Sequence, residues 1–135
     1  MSHFSTIRTK VKEKDALLEA LLILGYHATV EPKEMVVTGR HAKNHPTVHT
    51  DIQIKEDIGF FLNPTTMCYE LVADKQTWAE SVPVERFLDK LNQQYARMLI
   101  HNKIKKEGFQ VAEEWEMDDN SIELTVTRWN WENGV

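Results

Sequence analysis

The sequence predicts an α+β fold, an antiparallel sheet of about five to seven strands with two helices packed on one face. Three observations predict it. Two segments, about Lys12 to Leu24 and Val82 to Lys106, carry apolar residues at helical spacing. Between and around them lie short runs that alternate apolar and polar residues, the period of a half-buried strand. The links between those runs are mostly short, and short links imply antiparallel pairing, because a parallel crossover needs a dozen or more residues.

The chain then reads in order. His3 to Val11 is a strand in which Ile7, Thr9 and Val11 alternate with Arg8 and Lys10. The first helix has an inner stripe of Ala16, Leu17, Ala20, Leu21 and Leu24. Leu18, Leu22 and Ile23 widen that stripe, so cover on more than one side is expected. Gly25 ends the helix, since glycine reaches the left-handed cap conformation at least cost. Ala28 to Val30 and Met35 to Thr38 are short strand candidates around Pro32, which cannot donate to a ladder, so they are edge strands or arms of a loose hairpin.

A polar loop covers Gly39 to Pro46. Val48, Ile52 and Ile54 mark one more strand, and Asp57 to Phe61 opens the next. Asn63-Pro64-Thr65-Thr66 is turn chemistry, with the Asn63 side chain expected to fold back on the backbone. The returning strand, Met67 to Asp74, places Met67, Tyr69, Leu71 and Ala73 on one face. Cys68, Glu70, Val72 and Asp74 take the other. Ser81 is the expected cap of the long helix, with Pro83 in its first turn. Val84, Phe87, Leu88, Leu91, Tyr95, Met98 and Leu99 form its apolar stripe, and Gly108 stops it. A closing hairpin runs from Phe109 to Trp129 around a loop at 117–120. Phe109, Val111, Trp115, Ile122, Leu124 and Val126 are expected to face inward, and Asn130 to Val135 is expected to fray.

At 135 residues the chain fits one domain, 1–135, which can bury a sizeable core unaided. A single cysteine excludes an internal disulfide framework and fits a reducing compartment, the cytoplasm or a plastid stroma. No apolar run approaches the ~18 residues of a membrane span, so no membrane partner is expected. The net charge is −5 and uneven. Residues 1–55 hold eight Lys/Arg against six Asp/Glu, and 56–135 hold eight against fifteen. That acidic half disfavours nucleic acid, which needs clustered Lys/Arg. The one basic run, Arg8, Lys10, Lys12 and Lys14, fits a solvated face better than a phosphate track.

Each residue able to carry chemistry has a plainer reading beside it. His41, His45 and His49 could meet at a zinc, copper or nickel ion, but Pro46 breaks the helix that would align them, so a solvated loop is preferred. Cys68 lacks a neighbouring base and reads as a sheet-packing thiol. Glu70 and Asp74 share a strand face but stand ~13 Å apart along it, too far for paired acid catalysis. Phosphate-binding glycine loops and nucleophile elbows do not occur, so neither a cofactor nor a catalytic set is expected. Trp78 and Trp129 are the binding candidates, because tryptophan is enriched at interaction hot spots. For Trp78 a core cap under the 75–81 loop is the preferred reading, and for Trp131 packing and interaction are nearly balanced.

Several runs carry a resemblance. Met1-Ser2-His3-Phe4-Ser5-Thr6-Ile7, Asp57-Ile58-Gly59-Phe60, Tyr69-Glu70-Leu71-Val72-Ala73-Asp74, Gln94-Tyr95-Ala96 and Arg128-Trp129 stand in the same order as in a known family. The chain resembles the hypothetical chloroplast reading frame thirty-five family, small proteins of unknown function from cyanobacteria and algal plastids. The resemblance implies a small soluble protein and no activity. The stretch from Thr29 to His49 has no counterpart in it, so the histidines gain nothing. His3, Tyr69, Glu70, Asp74, Tyr95 and Arg128 are polar groups on apolar elements. A Glu70–Arg128 or Asp74–Arg128 bridge is the structural expectation for them, and a pocket lining is the alternative.

The resulting expectation is a non-enzymatic protein-binding or adaptor domain, whose partner is another protein or a second copy of the chain. The alternative is a small-molecule or metal-binding protein, which leaves room for an enzyme.

Overall fold

The computed structural model describes residues 4–30, 33–36, 47–119 and 121–128. Ten elements follow one another: β1 (Phe4–Arg8), α1 (Lys14–Ile23), β2 (Lys33–Val36), β3 (Thr47–Thr50), β4 (Ile52–Lys55), β5 (Ile58–Leu62), β6 (Tyr69–Asp74), α2 (Val84–Lys106), β7 (Phe109–Glu116) and β8 (Ile122–Arg128). All pairing is antiparallel, and two helices accompany the strands, so the α+β class holds. The strands divide among three sheets. A four-stranded sheet has the order β1-β6-β5-β4, while β2 pairs with β3 and β7 with β8.

Register explains why the four-stranded sheet holds. Ile7 and Phe60 both lie opposite Leu71, and Ile52 lies opposite Phe60. These four apolar side chains therefore cross the sheet in one row on one face. Leu17 and Leu21 of α1 and Phe87 and Leu91 of α2 close over that row in a single buried cluster. The central strand β6 is buried along its whole length, on both faces. Its outer side carries Glu70, Val72 and Asp74, so its polar groups need local partners.

The helix ends follow their capping chemistry. Gly25 has φ +94. Its N–H donates to Leu22 O at 3.0 Å, and the Tyr26 N–H donates to Leu21 O at 2.9 Å. That double bond pattern is a Schellman motif, which satisfies carbonyls the helix end would leave open. Gly108, at φ +83, ends α2 in the same left-handed region.

Several boundaries differ from the sequence reading. The long helix begins at Val84 with Pro83 as its N-cap, and no side chain caps it, so Ser81 lies outside. The segment at 48–54 divides into β3 and β4 at Asp51. There the Asp51 carboxylate accepts the Leu62 N–H at 2.8 Å and its own N–H donates to Phe60 O at 2.8 Å. The Asp51 side chain thereby takes up an amide of β5, the neighbouring strand. Ala28 to Val30 reduces to a single bridge between Thr29 and Gln53. Met67, expected on the inner face of β6, sits in the preceding turn at φ +59 and is 56% exposed. The Asn63 side chain does fold back, accepting the Thr65 N–H at 2.8 Å. Leu22 and Ile23 of α1 are 59% and 47% exposed, so the second cover expected for that helix does not come from the described residues.

Candidate functional site

The site grows from a one-residue irregularity in β7. Val111 pairs with Val126 and Glu113 with Thr125, with a register shift between Val111 and Glu113. The bulge at Ala112 reverses the alternation beyond it. Phe109, Val111, Ile122 and Leu124 stay half-buried as expected. Past the bulge, Glu114 is half-buried instead of Trp115, which is 41% exposed. Val126 at the hairpin's end is also exposed.

Glu114 meets two α2 residues one helical turn apart. The Arg97 Nε donates to Glu114 Oε1 at 2.7 Å, and a second guanidinium nitrogen pairs with the same oxygen. His101 Nε2 lies 2.7 Å from Glu114 Oε2. Arg97 is steadied further by Gln94, whose Oε1 accepts from it at 3.1 Å. The hydrogen bond from Arg97 first, and then that of His101, outweigh the effect of burial and hold the Glu114 carboxyl at about 2. The same bond raises the Arg97 guanidinium above its ordinary value, against a smaller burial effect. Glu114 is therefore ionised at neutral pH and fixes the His101 ring in one orientation.

His101 borders a cleft of about 590 Å³ between the C-terminal half of α2 and the start of β7. Met98, Ile104, Phe109 and Val111 give it an apolar lining, with Asn102, Lys105 and Glu19 of α1 also bordering it. Asn102 Nδ2 donates to Glu19 Oε1 at 3.1 Å, which ties α1 to α2 at that border. The volume falls in the ~300–1,000 Å³ range of small-molecule sites, and an apolar wall with a few placed polar groups is their usual make-up. A groove of about 600 Å³ on the other side of Asn102 is lined mainly by charged side chains, Glu13, Asp15, Lys103 and Lys106 among them.

The residues singled out by sequence do not gather here. Trp78 is half-buried against the core. Its Nε1 donates to Val82 O at 2.7 Å, and its ring meets Phe87 edge-on at 5.5 Å. Trp129, Trp131, His3, His41 and His45 lie outside the described residues. His49 is described, and its Nε2 stands 3.5 Å from Asp51 Oδ1. Cys68 lies before β6, half-buried, with its Sγ 3.6 Å from Thr66 O. Arg8, Lys10, Lys12 and Lys14 are exposed to solvent.

The expected bridges to Arg128 are not made among the described residues. Glu70 instead accepts from Asn63 Nδ2 at 3.0 Å, and the Arg128 guanidinium stands 5.3 Å over the Phe109 ring. The physical reason is the separate hairpin sheet, which keeps Arg128 on β8 and opposite Phe109. Asp74 is 1% exposed; its Oδ1 accepts the Gln76 N–H at 2.9 Å, and its Oδ2 is buried with no hydrogen-bond partner among the described residues.

Sequence reasoning missed Glu114, His101 and the cleft. Arg97 and His101 do stand four apart, a spacing that puts both on one helix face. Nothing in the local composition marks the bulge that brings Glu114 to them.

Fold and site together define an antiparallel α+β protein with an apolar cleft between a long helix and the β7–β8 hairpin. The chain belongs to a family described as proteins of unknown function (DUF1257), whose model matches residues 20–125. Relatives named uncharacterized protein ycf35 support the same placement. The one from Pyropia yezoensis is 38% identical over 135 residues, 97% of this chain and 100% of the relative. Those from Guillardia theta and Cyanophora paradoxa are 38% and 33% identical, covering 96% and 97% of this chain and 98% and 100% of their own. The resemblance to that family is thereby borne out. No solved structure matches the chain.

Proposed function

We propose that the protein is a non-enzymatic binding module, acting as one domain, whose ligand seats in the cleft between α2 and β7. The observation that carries this reading is the apolar cleft of about 590 Å³ beside a histidine already oriented by Glu114. Binding is favoured over catalysis because both Glu114 oxygens are engaged by Arg97 and His101. The carboxylate is thus a support for its neighbours and not a free base. The relatives' name, a chloroplast reading frame, and the single cysteine support a reducing compartment, cytoplasm or plastid stroma.

The test is native mass spectrometry and thermal shift on the intact protein and on Val111→Trp, which fills the cleft. A mass retained by wild type and lost by the folded variant supports the reading. No retained mass, together with no shift across a panel of small metabolites, overturns it.

A second reading is the adaptor. Leu22 and Ile23 favour it, since two large apolar side chains stand open side by side in the last turn of α1. They lie three and four residues beyond Glu19, on the helix face that borders the cleft. Trp78 would join such a surface by its half-exposed indole. A partner captured by wild type, rebound in purified form, and released by Leu22→Glu with Ile23→Glu would favour the adaptor. The metal alternative rests on His41, His45 and His49, of which His49 is held near Asp51.

A further inference from the structure

The charges around the cleft are unequal in a way that selects a ligand. Three polar groups at its border are already committed. His101 is held by Glu114, and Asn102 and Glu19 are bonded to each other. Two cations are not. Lys105 borders the cleft and Arg128 stands over its Phe109 ring, and among the described residues neither has a carboxylate partner. A guanidinium over an aromatic face still has N–H donors to offer an anion. The apolar side chains Met98, Ile104 and Val111 continue from Phe109.

From this geometry we infer that the cleft takes an amphiphile with an aliphatic tail and one anionic head. The tail lies on Met98, Ile104, Phe109 and Val111, and the head lies between Lys105 and Arg128. The simplest such molecule is a medium-chain carboxylate. The inference rests on the cleft being the binding site and adds the class of its occupant. A cationic head is disfavoured by Lys105 and Arg128, which meet no carboxylate among the described residues, against one bonded Glu19. A purely apolar ligand would leave both cations unused.

The experiment titrates decanoate, decanol and decylammonium into the full chain, below their aggregation concentrations. It is followed by amide chemical shifts and by calorimetry. Decanoate is expected to bind, with shifts concentrated in residues 98–111 and near Arg128. Decanol and decylammonium are expected to bind at least about tenfold more weakly, the value of one charge-assisted hydrogen bond. Lys105→Gln with Arg128→Gln, both at the surface, should weaken decanoate by about tenfold or more and leave decanol unchanged. Val111→Trp should abolish binding of all three. If decanol binds as tightly as decanoate, or the double variant binds decanoate like wild type, the anionic head is wrong and the cleft reading stands. If none of the three binds, the amphiphile inference falls. The cleft reading falls with it only when the metabolite panel is also silent.

Discussion

The hydroxyl oxygen of Tyr95, in the middle of α2, accepts the backbone N–H of Glu13 at 2.9 Å, and it also accepts that of Lys12 at 3.0 Å. These two amides lead into α1, whose N-cap, Glu13, makes no side-chain bond of its own. One aromatic oxygen on the second helix thus satisfies the N-cap amide of the first, the part that the N3 side chain plays in a capping box. Removing only that oxygen, as Tyr95→Phe, leaves two part-buried amides without their acceptor. The expected loss is about 1–3 kcal/mol, read from chemical denaturation, with little change in m-value.

Glu114 makes stability depend on acid. Its folded value of about 2 lies below the ordinary value of 4.5. A depressed carboxyl contributes stability that is complete above the unfolded value and is lost as pH falls through the folded one. The Arg97–Glu114 contribution should therefore fade between about pH 4.5 and pH 2. Both partners keep some solvent contact, so the effect should be on the order of 1–2 kcal/mol. Glu114→Gln should flatten that part of the stability curve relative to wild type. An unchanged acid limb would show that the pair contributes nothing.

Gly25 carries a backbone prediction free of packing effects. A Cβ added there would meet nothing within 4 Å, yet φ is +94. Gly25→Ala should then cost about 1–2 kcal/mol from conformation alone, and Gly25→Asn less, because asparagine tolerates the left-handed region. Equal stability of all three would argue against the Schellman end.

Tyrosine ionisation offers a spectroscopic test. Burial first, then the hydrogen bond and charge of Glu80, raise the Tyr26 hydroxyl well above its ordinary value; its Oη donates to Glu80 at 2.7 Å. Burial, then Asp51 and Asp15, raise Tyr69 as well. A raised value contributes stability that is complete below the unfolded value, about 10, and is lost as pH rises. In an absorbance titration two tyrosines, Tyr26 and Tyr69, should ionise above the ordinary tyrosine value. Tyr26→Phe should remove one of them and reduce the alkaline loss of stability. Glu80 itself is pushed up by burial, yet bonds from Lys55 and Tyr26 outweigh this and hold it low.

Legibility in the sequence followed how local each feature is. The Gly25 stop, the Asn63 turn and the apolar stripe of α2 depend on neighbours a few residues away, and each was readable. The break at Asp51 was not, because it depends on a carboxylate reaching the Leu62 amide from another strand. The exposure of Leu22 and Ile23 was not, because a pattern reports how much apolar surface a helix has and not what covers it. The site was least legible. Trp115 and Glu114 exchange faces through one inserted residue, Ala112, and alternation counted from Phe109 fails from there on.

The hairpin's isolation has a mechanical consequence. Among the described residues β7 and β8 bond their ladders only to each other, and they lean on α2 through a few half-buried side chains and the Glu114 contacts. A unit attached by side chains alone opens at lower free energy than a strand woven into a larger sheet. Its amides should exchange with solvent sooner than those of β6, as one cooperative group. The wall of the cleft should then open as a flap held by Arg97 and His101, and loosening those bonds with acid should gape the mouth without unfolding the body.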